Sequence, residues 1–425
     1  MKRLSAVCTA LVRPGRPSQK AAPALNACGS HPYAVLITGT LFMNFLPLAL
    51  VTALLHVYIG ARLVPGLQAL PLVQWLLIIG LVLSALLMPL GLMAGRVARQ
   101  PLADVLTWVG LLFMGLFSSL FVLTLARDAG LLLLWGADLL APGQLPLAWL
   151  RIASAEAVPL LGVLVTVLGF LNARRTAAVV KVDVPIKGLP PALQGFTLAQ
   201  ISDIHVGPTI KHAYLRRIVD KVNALDADVV AITGDLVDGK VSELSAHTAP
   251  LADLKSRHGT YFVTGNHEYY SGAHAWVDEL RRLGLTVLLN QHVVIRRPGE
   301  GSGKPLVLAG VTDYSAGHFD PAHRSDPEAA LQGAPLNAVR VLLAHQPRSA
   351  AAAAKAGFDL QLSGHTHGGQ FYPWNLFVRL QQPFTAGLHK LQNLWVYTSR
   401  GTGYWGPPKR FGAPSEITAL RLVAA

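Results

Sequence analysis

Four long apolar runs occupy the first 175 residues of the chain. A helix rises about 1.5 Å per residue, so about 20 apolar residues cross a hydrocarbon core of about 30 Å. We therefore predict four membrane-spanning helices, over Tyr33–Ile59, Leu72–Ala94, Leu102–Ala126 and about Ile152–Leu171. A fifth run, Leu131–Leu140, is short and contains Asp138, which favours an interfacial or re-entrant segment over a fifth crossing.

From Thr176 onward the pattern changes to that of a water-soluble α/β domain. Short apolar stretches alternate with amphipathic ones, which predicts strands that lead into helices. Helices are predicted over His212–Leu225, Ala273–Leu283 and Arg348–Ala356, and Arg297–Pro305 is predicted to be a hairpin loop. The predicted strands are Phe196–Ile201, Val229–Thr233, Tyr261–Val263, Val287–Leu289, Val293–Arg296, Leu306–Val311, Val341–Ala344 and Leu394–Thr398.

The composition agrees with a chain divided between membrane and water. Hydrophobic residues make up 52% of the 425 residues, charged residues only 14%, and the mean hydropathy is +0.42. These values are too apolar for a soluble protein of this size. We predict an N-terminal cytoplasmic tail over residues 1–32, a transmembrane region over 33–175, a linker over 176–194 and the α/β domain over 195–425.

The net charge is +13, and most of the positive charge in the first 175 residues flanks apolar runs, which is a signal of membrane topology. Basic residues favour the cytoplasmic face of spanning helices. Nine basic residues would share one face of the membrane, in the N-terminal tail, in the second loop and after the last helix at Arg174 and Arg175. The opposite face would have three, Arg62, Arg127 and Arg151. We therefore predict a multi-pass protein of the inner (cytoplasmic) membrane with the α/β domain in the cytoplasm; a fifth crossing would place the domain on the other side. No nucleic-acid partner is expected, because the charge flanks apolar runs.

Five short motifs with metal-binding side chains follow the apolar strands. They read Asp-Ile-His, Gly-Asp, Gly-Asn-His, a single His and Gly-His-Thr-His. Their candidate ligands are Asp203, His205, Asp235, Asn266, His345, His365 and His367. Side chains at strand ends converge at one edge of a sheet. Carboxylate, imidazole and amide ligands suit Mn, Fe or Zn, and seven of them point to two adjacent ions.

Taken together, the five motifs resemble the signature of the calcineurin-like metallophosphoesterase superfamily. The stretches Thr233–Gly239, Thr264–Tyr270, Ser363–Gln370 and Ser399–Ile417 resemble its bacterial membrane-associated branch, and the preceding apolar half resembles transmembrane proteins with a metallophosphoesterase domain. The resemblance covers residues 195–425. It implies a fold of two stacked sheets flanked by helices (αββα), with the site at the C-terminal ends of the strands.

The resemblance also implies how the ligands divide between two divalent ions. One ion would be held by Asp203, His205, Asp235 and His367. The other would be held by Asn266, His345, His365 and again Asp235, which would bridge the two. His267 is left without an ion, and we expect it to protonate the leaving group or stabilise the transition state. Asp238 would orient His267.

The implied activity is that of a membrane-anchored, metal-dependent phosphoesterase. It would cleave a phosphodiester or pyrophosphate bond by attack of a hydroxide held between the ions. The substrate would be a phosphate ester, and the nearby bilayer favours a lipid-linked one. The alternative is a membrane receptor or regulator whose phosphoesterase-like domain binds metal without turnover.

Several loop residues are candidates for contacts with the substrate. Gly239 stands where phosphoprotein phosphatases of the superfamily carry an arginine, which argues against that class. Arg400 is a candidate replacement for the phosphate contact, although an exposed loop arginine fits the pattern equally well. Trp374, Tyr404 and Trp405 are candidates for lining a substrate channel or for reaching the membrane interface; for Trp374, packing in the core fits as well.

Overall fold

The structure, a computed structural model, describes residues 32–296 and 304–425, with only the helical backbone given for residues 32–46. Residues 1–31 of the predicted tail and most of the predicted loop Arg297–Pro305 lie outside the described residues. The internal contacts divide the chain into two units at the boundary between Pro47 and Leu48. The second unit contains both the apolar helices from Leu48 onward and the α/β domain.

The described part of the N-terminal region is entirely helical. Its helices are α1 (Pro32–Leu63), α2 (Pro71–Leu92), α3 (Ala94–Val97), α4 (Leu102–Leu140) and α5 (Leu147–Arg174). Four stretches are long and apolar enough to cross a membrane: Pro47–Leu67, Pro71–Leu92, Leu102–Leu140 and Leu147–Arg174. In the described residues the spans agree with the prediction in number, and the first overlaps the predicted Tyr33–Ile59 only from residue 47.

The fifth apolar run differs from the prediction. Leu131–Leu140 does not form a separate segment but continues α4 to a length of 39 residues. No proline interrupts this helix, and Asp138 lies near its end, where its carboxylate accepts a hydrogen bond from the Gly143 N–H (3.1 Å). Because 39 residues span about 58 Å, α4 is longer than the hydrocarbon core of about 30 Å.

The α/β domain contains two mixed six-stranded sheets. The first sheet has the order β1-β12-β2-β3-β4-β5 and the second β10-β11-β9-β8-β7-β6. The first consists of β1 (Ala178–Ile186), β2 (Thr197–Ile201), β3 (Val229–Ile232), β4 (Thr260–Phe262), β5 (Thr286–Val287) and β12 (Glu416–Ala424). The second consists of β6 (Gln291–Ile295), β7 (Leu306–Gly310), β8 (Val339–Leu343), β9 (Leu360–Ser363), β10 (Gly387–Leu391) and β11 (Leu394–Thr398).

Helices cover the outer faces of both sheets, so the predicted αββα arrangement is confirmed. The helices of the domain are α6 (His212–Asn223), α7 (Val241–Thr248), α8 (Asn266–Ser271), α9 (Ala273–Arg282), α10 (Pro327–Ala330), α11 (Ala350–Ala356) and α12 (Asn375–Val378). Residues of α6, α7 and α9 pack on the first sheet, and residues of α10 and α11 on the second. Between the sheets, side chains such as Leu198, Val229, Leu308 and Val341 form a shared apolar core.

The predicted linker over residues 176–194 is largely part of this fold. Its residues 178–186 form β1, which pairs in parallel with β12 from Ala178↔Glu416 to Ile186↔Ala424. The chain therefore passes almost directly from α5 into the first sheet. Truncation of the chain within residues 178–186 would therefore remove an edge strand of the first sheet.

A buried lysine makes one of the contacts between the α/β domain and the apolar helices. Lys409 is only 2% exposed, and its ammonium donates hydrogen bonds to the Gly115 carbonyl (2.9 Å) and the Ser119 hydroxyl of α4. Next to it, the Arg410 N–H donates to the Gly169 carbonyl of α5 (2.8 Å). The loop that carries this pair thus connects the two regions of the chain.

Burial of this ammonium predicts a pH-dependent stability. Burial lowers the pKa of Lys409 from 10.5 to about 8, so between these values the unfolded chain binds more protons than the folded chain. Stability should therefore rise with pH from about 8 to about 10.5, by roughly 3 kcal/mol at most.

Thermal unfolding of the full chain in detergent, measured across this pH range, tests the effect. Lys409→Met should remove the rise. The control Lys355→Met should retain it, because the Lys355 side chain is 80% exposed. Equal pH profiles for the two variants would contradict the assignment to Lys409.

Candidate metal centre

All seven candidate ligands lie just beyond the C-terminal ends of strands. Asp203 and His205 follow β2, Asp235 follows β3, Asn266 follows β4, His345 follows β8, and His365 and His367 follow β9. β2, β3 and β4 are parallel neighbours, as are β8 and β9. The two sheets therefore present these side chains at a common edge.

Three of them form the first cluster. The ligand atoms of Asp203, His205 and His367 all lie within 4.8 Å of one another, and all three residues are buried. The Nε2 atoms of His205 and His367 are 3.0 Å apart, and His367 Nε2 is 3.6 Å from Asp203 Oδ1. These nitrogen and oxygen atoms face one small volume.

A second cluster contains Asp235, His345 and His365. His345 Nε2 lies 3.1 Å from Asp235 Oδ2 and 3.1 Å from His365 Nδ1. The same Oδ2 of Asp235 is 4.0 Å from His205 Nε2 of the first cluster. Asp235 therefore stands between the two clusters.

The polar groups of the site fit a pair of cations. The buried atoms Asp203 Oδ2 and Asn266 Oδ1 have no hydrogen-bond partner, and a buried oxygen without a partner costs about 1–3 kcal/mol. Burial and the neighbouring His345 lower the pKa of His365 to about 3, which leaves its imidazole neutral, the form that binds metals. The orphaned oxygens and the neutral ring are both suited to bound divalent ions.

Five of the seven candidates have a backbone conformation that residues other than glycine rarely adopt. Their φ angles are 54° (Asp203), 57° (His205), 51° (Asp235), 70° (His365) and 51° (His367). Such conformations cost of order 1–3 kcal/mol each and cluster at functional sites. They persist here because hydrogen bonds hold the turns, for example from the Asp203 N–H to the Gly234 carbonyl (3.0 Å).

Two glycines of the motifs let the main chain approach the carboxylates closely. A Cβ atom on Gly364 would lie 2.2 Å from Asp203 Oδ2, and one on Gly265 would lie 2.2 Å from Asp235 Oδ1. Any side chain at these positions would displace a candidate ligand. This explains why a glycine precedes both Asn266 and His365.

His267 and Asp238 form a pair beside the clusters. Asp238 Oδ1 accepts hydrogen bonds from His267 Nδ1 (2.7 Å) and His205 Nδ1 (2.9 Å), which is the contact that the expected orienting role requires. Burial disfavours the charged form of His267, but the hydrogen bond to Asp238 and the charges of Asp235 and Glu268 outweigh it and raise its pKa to about 9. His267 Nε2 lies 4.0 Å from Asp235 Oδ2. The ring therefore lies beside the candidate ligands, with its Nδ1 fixed by Asp238.

Hydrogen bonds at Nδ1 orient three of the imidazoles. His205 donates there to Asp238 and His345 to the Thr233 carbonyl (2.8 Å), so Nε2 of each ring is the atom turned toward the other candidate ligands. His367 differs, because its Nδ1 faces Arg410 (3.0 Å) and a guanidinium can only donate. A neutral His367 therefore carries its proton on Nε2, which makes it the candidate ligand with the least support from its surroundings.

Sequence reasoning missed two residues that support the site. Glu268 is fully buried and accepts hydrogen bonds from the N–H groups of Gly265 (2.6 Å), Asp235 (3.0 Å) and Leu236 (2.8 Å). Arg410 is 1% exposed and donates to the carbonyls of His367 and Gly403 as well as to the His367 ring. Glu268 adjoins a metal motif, but Arg410 lies 43 residues beyond His367 and has no local signal.

The candidate substrate-contact residues lie in different surroundings. Arg400 forms an ion pair with Glu416 (2.8 Å), and its predicted contact with phosphate stays a prediction. Tyr404 is buried, and its hydroxyl contacts Arg174 and Thr209, so it packs in the core and lines no channel. Trp405 is 55% exposed, with its ring 5.9 Å from the His267 ring.

Fold and site together define the chain as a membrane-helix protein with an αββα domain that carries a candidate metal centre. The family model for "Calcineurin-like phosphoesterase" matches residues 196–369. The chain is 32% identical over 223 residues to an "Uncharacterized metallophosphoesterase" of Aquifex aeolicus, covering 52% of this chain and 82% of that protein. It belongs to the calcineurin-like metallophosphoesterase family.

Two vertebrate relatives share the membrane character. Both are named "Transmembrane protein with metallophosphoesterase domain". The chain is 42% identical to the one from Danio rerio over 264 residues, covering 61% of this chain and 60% of that protein. It is 43% identical to the one from Bos taurus over 279 residues, covering 63% of each. The chain thus spans about three fifths of the length of these relatives.

Proposed function

We propose that this protein is a membrane-anchored phosphohydrolase that uses two divalent ions (Mn, Fe or Zn) to cleave a phosphodiester or pyrophosphate bond. The observation that carries the proposal is the position of Asp235 between two clusters of buried ligand atoms. Its Oδ2 lies 3.1 Å from His345 Nε2 on one side and 4.0 Å from His205 Nε2 on the other. A carboxylate in this position is suited to bridging two cations.

The proposed division of ligands follows the two clusters. The first ion would be held by Asp203, His205, Asp235 and His367. The second would be held by Asp235, Asn266, His345 and His365. When bound, the two ions would supply a water of lowered pKa and positive charge to stabilise the phosphoryl oxygens.

The residues around the ions position groups and hold a proton. His267 is the proposed general acid: its Nδ1–H donates to Asp238, and its Nε2 carries the proton that the leaving oxygen takes up. Asp238 fixes the planes of two imidazoles at once, those of His205 and His267. Glu268 holds the turn that carries Asp235 through the Asp235 and Leu236 N–H groups.

We also propose that the protein is a multi-pass protein of the inner membrane with its α/β domain in the cytoplasm. An even number of candidate spans in the described residues supports this orientation. So does the excess of basic residues on the face that includes Arg174 and Arg175. The proposed regions are the tail (1–32), the membrane helices (33–175) and a phosphoesterase domain that begins with β1.

Hydrolysis of bis-p-nitrophenyl phosphate by the full chain in detergent tests the proposed reaction. The full chain is needed because truncation within β1 would remove a strand of the first sheet. We expect turnover that depends on added Mn, Fe, Zn or Co and is lost on chelation. Stoichiometric metal binding without turnover with any of these ions would instead support a receptor or regulator.

A further inference from the structure

The segment that follows the Gly-His-Thr-His motif exposes a row of large apolar side chains. We call residues Tyr372–Leu380, which include α12, the apolar ledge. Trp374 is 40% exposed, Phe377 54%, Leu376 63% and Leu380 81%. The ledge contains no acidic residue, and its one basic residue, Arg379, lies next to its end.

The apolar ledge lies against a membrane helix. The indole N–H of Trp374 donates a hydrogen bond to the Ser118 hydroxyl of α4 (3.1 Å). The residue just before the ledge, Phe371, has its ring 4.8 Å from the Lys409 ammonium, which itself reaches Gly115 of α4. The ledge thus continues directly from the surface of the spanning helices.

The position of Ser118 along α4 places this contact at the depth of the acyl chains. A hydrocarbon core takes up about 20 residues of a helix, and Ser118 lies 16 residues after Leu102 and 22 before Leu140. Nearly every placement of the core on α4 therefore contains Ser118. The domain also contacts Gly169 of α5. Gly169 lies five residues, or about 8 Å, before Arg174, where α5 ends and the chain continues into the α/β domain. The contact is therefore in the half of the membrane nearest that domain.

We propose that the apolar ledge inserts into the acyl-chain region of the leaflet nearest the α/β domain. Transfer of these large apolar side chains from water to lipid is favourable, and Arg379 can extend its guanidinium to the headgroups. The ledge begins five residues after His367, and the Gln370 amide donates to the Trp405 carbonyl (2.8 Å) beside His267. The metal centre then faces phosphates at the headgroup level of the same leaflet.

This placement names a class of substrate: a phosphodiester or pyrophosphate carried on a lipid of that leaflet. The naming of a substrate rests on the proposed function, but insertion of the ledge does not. The two are tested by separate readouts.

Lipid insertion is tested by fluorescence quenching on the full chain. Cys8 and Cys28 are the two cysteines of the sequence, so a Cys8→Ser/Cys28→Ser background accepts one new cysteine labelled with an environment-sensitive fluorophore. Test positions are Leu376→Cys and Leu380→Cys. The control is Leu336→Cys, which is 90% exposed just before β8, at the sheet edge opposite the metal centre.

In phosphatidylcholine–phosphatidylglycerol nanodiscs, nitroxide lipids should quench the two ledge positions several-fold more than the control position. Aqueous iodide should quench the control position several-fold more than the ledge. Equal quenching of all three positions by iodide would overturn the proposal. This readout needs no turnover.

The substrate class is tested with two diesters that share a leaving group. Bis-p-nitrophenyl phosphate is soluble, whereas dodecyl p-nitrophenyl phosphate partitions into nanodiscs. Leu376→Asp/Phe377→Asp should keep turnover of the soluble diester and lose it several-fold for the dodecyl diester. Equal losses for both would overturn the lipid-linked substrate. If the parent chain hydrolyses neither diester, the proposed function fails. The quenching experiment still tests whether the apolar ledge inserts into lipid.

Discussion

Asp235→Asn is expected to abolish hydrolysis and to reduce the metal content of the protein. The carboxylate lies between both clusters of candidate ligands, and an amide has one oxygen and no negative charge with which to bridge two cations. Removal of a residue that hydrogen-bonds a metal ligand costs up to roughly 100-fold in activity. The loss caused by Asp235→Asn should be larger. Turnover of bis-p-nitrophenyl phosphate and elemental analysis of the purified protein measure the two effects.

The matched control is Asp183→Asn, the same chemical change on β1. Asp183 is exposed and pairs with Arg421 at the edge of the first sheet, so activity and metal content should match those of the parent protein. An Asp235→Asn variant that binds two ions and turns over normally would remove the proposed bridge.

His267→Gln is expected to lower turnover by about 10²–10⁴-fold, the usual contribution of a general acid, while metal content stays unchanged. The reason is geometric: His267 Nδ1 is held by Asp238, its Nε2 lies 4.0 Å from Asp235 Oδ2, and His267 groups with His205 and Asp238 rather than with the two clusters assigned to the ions. Steady-state kinetics with an alkyl phosphodiester, whose alkoxide leaving group needs the proton, and metal analysis of the same sample measure the two quantities.

Two further variants sharpen this prediction. Asp238→Asn should cost less, about 10–100-fold, because it only loosens the rings of His205 and His267. His389→Gln, at a distant exposed position on β10, should leave turnover unchanged. Loss of metal from His267→Gln would show that this histidine is a ligand and would overturn its role as the acid.

The strands that the sequence predicted well are those buried on both faces. β3 is wholly apolar, and β2 and β8 are buried at all but one position although polar residues such as Gln200 and Arg340 interrupt them. Burial on both faces is what a strand between a helix layer and a second sheet requires. The motifs at their ends were visible for the same reason: each polar motif interrupts an apolar run. The αββα fold and the convergence of the motifs follow from this pattern.

The elements that the sequence did not predict are those whose pattern is mixed. β9 is only four residues long, and two of them, Gln361 and Ser363, are polar, with the Gln361 amide nitrogen donating to the Ser363 hydroxyl (2.9 Å), so the strand has no continuous apolar run. β1 and β12 pair with each other at the edge of the sheet, where charged side chains such as Asp183 and Arg421 alternate with apolar ones. Their pairing joins parts of the chain more than 200 residues apart, which local patterns do not encode.

The conformations and residues that support the site were not predicted from the sequence for a related reason. The left-handed φ angles of five candidate ligands are held by hydrogen bonds such as that from the Asp203 N–H to the Gly234 carbonyl, which join distant parts of the chain and have no local signal. Arg410 reaches His367 only because the loop that precedes β12 folds back between the membrane helices and the sheets. A residue of this kind is identified by the tertiary structure alone.

The number of ions needed for activity tests the central claim most directly. The full chain, stripped of metal and titrated with Mn²⁺ in detergent, should gain turnover of bis-p-nitrophenyl phosphate until two ions are bound per chain, with Asp235→Asn failing to reach this stoichiometry. Full activity at one ion per chain, or turnover that survives complete removal of metal, would contradict the proposed two-metal centre.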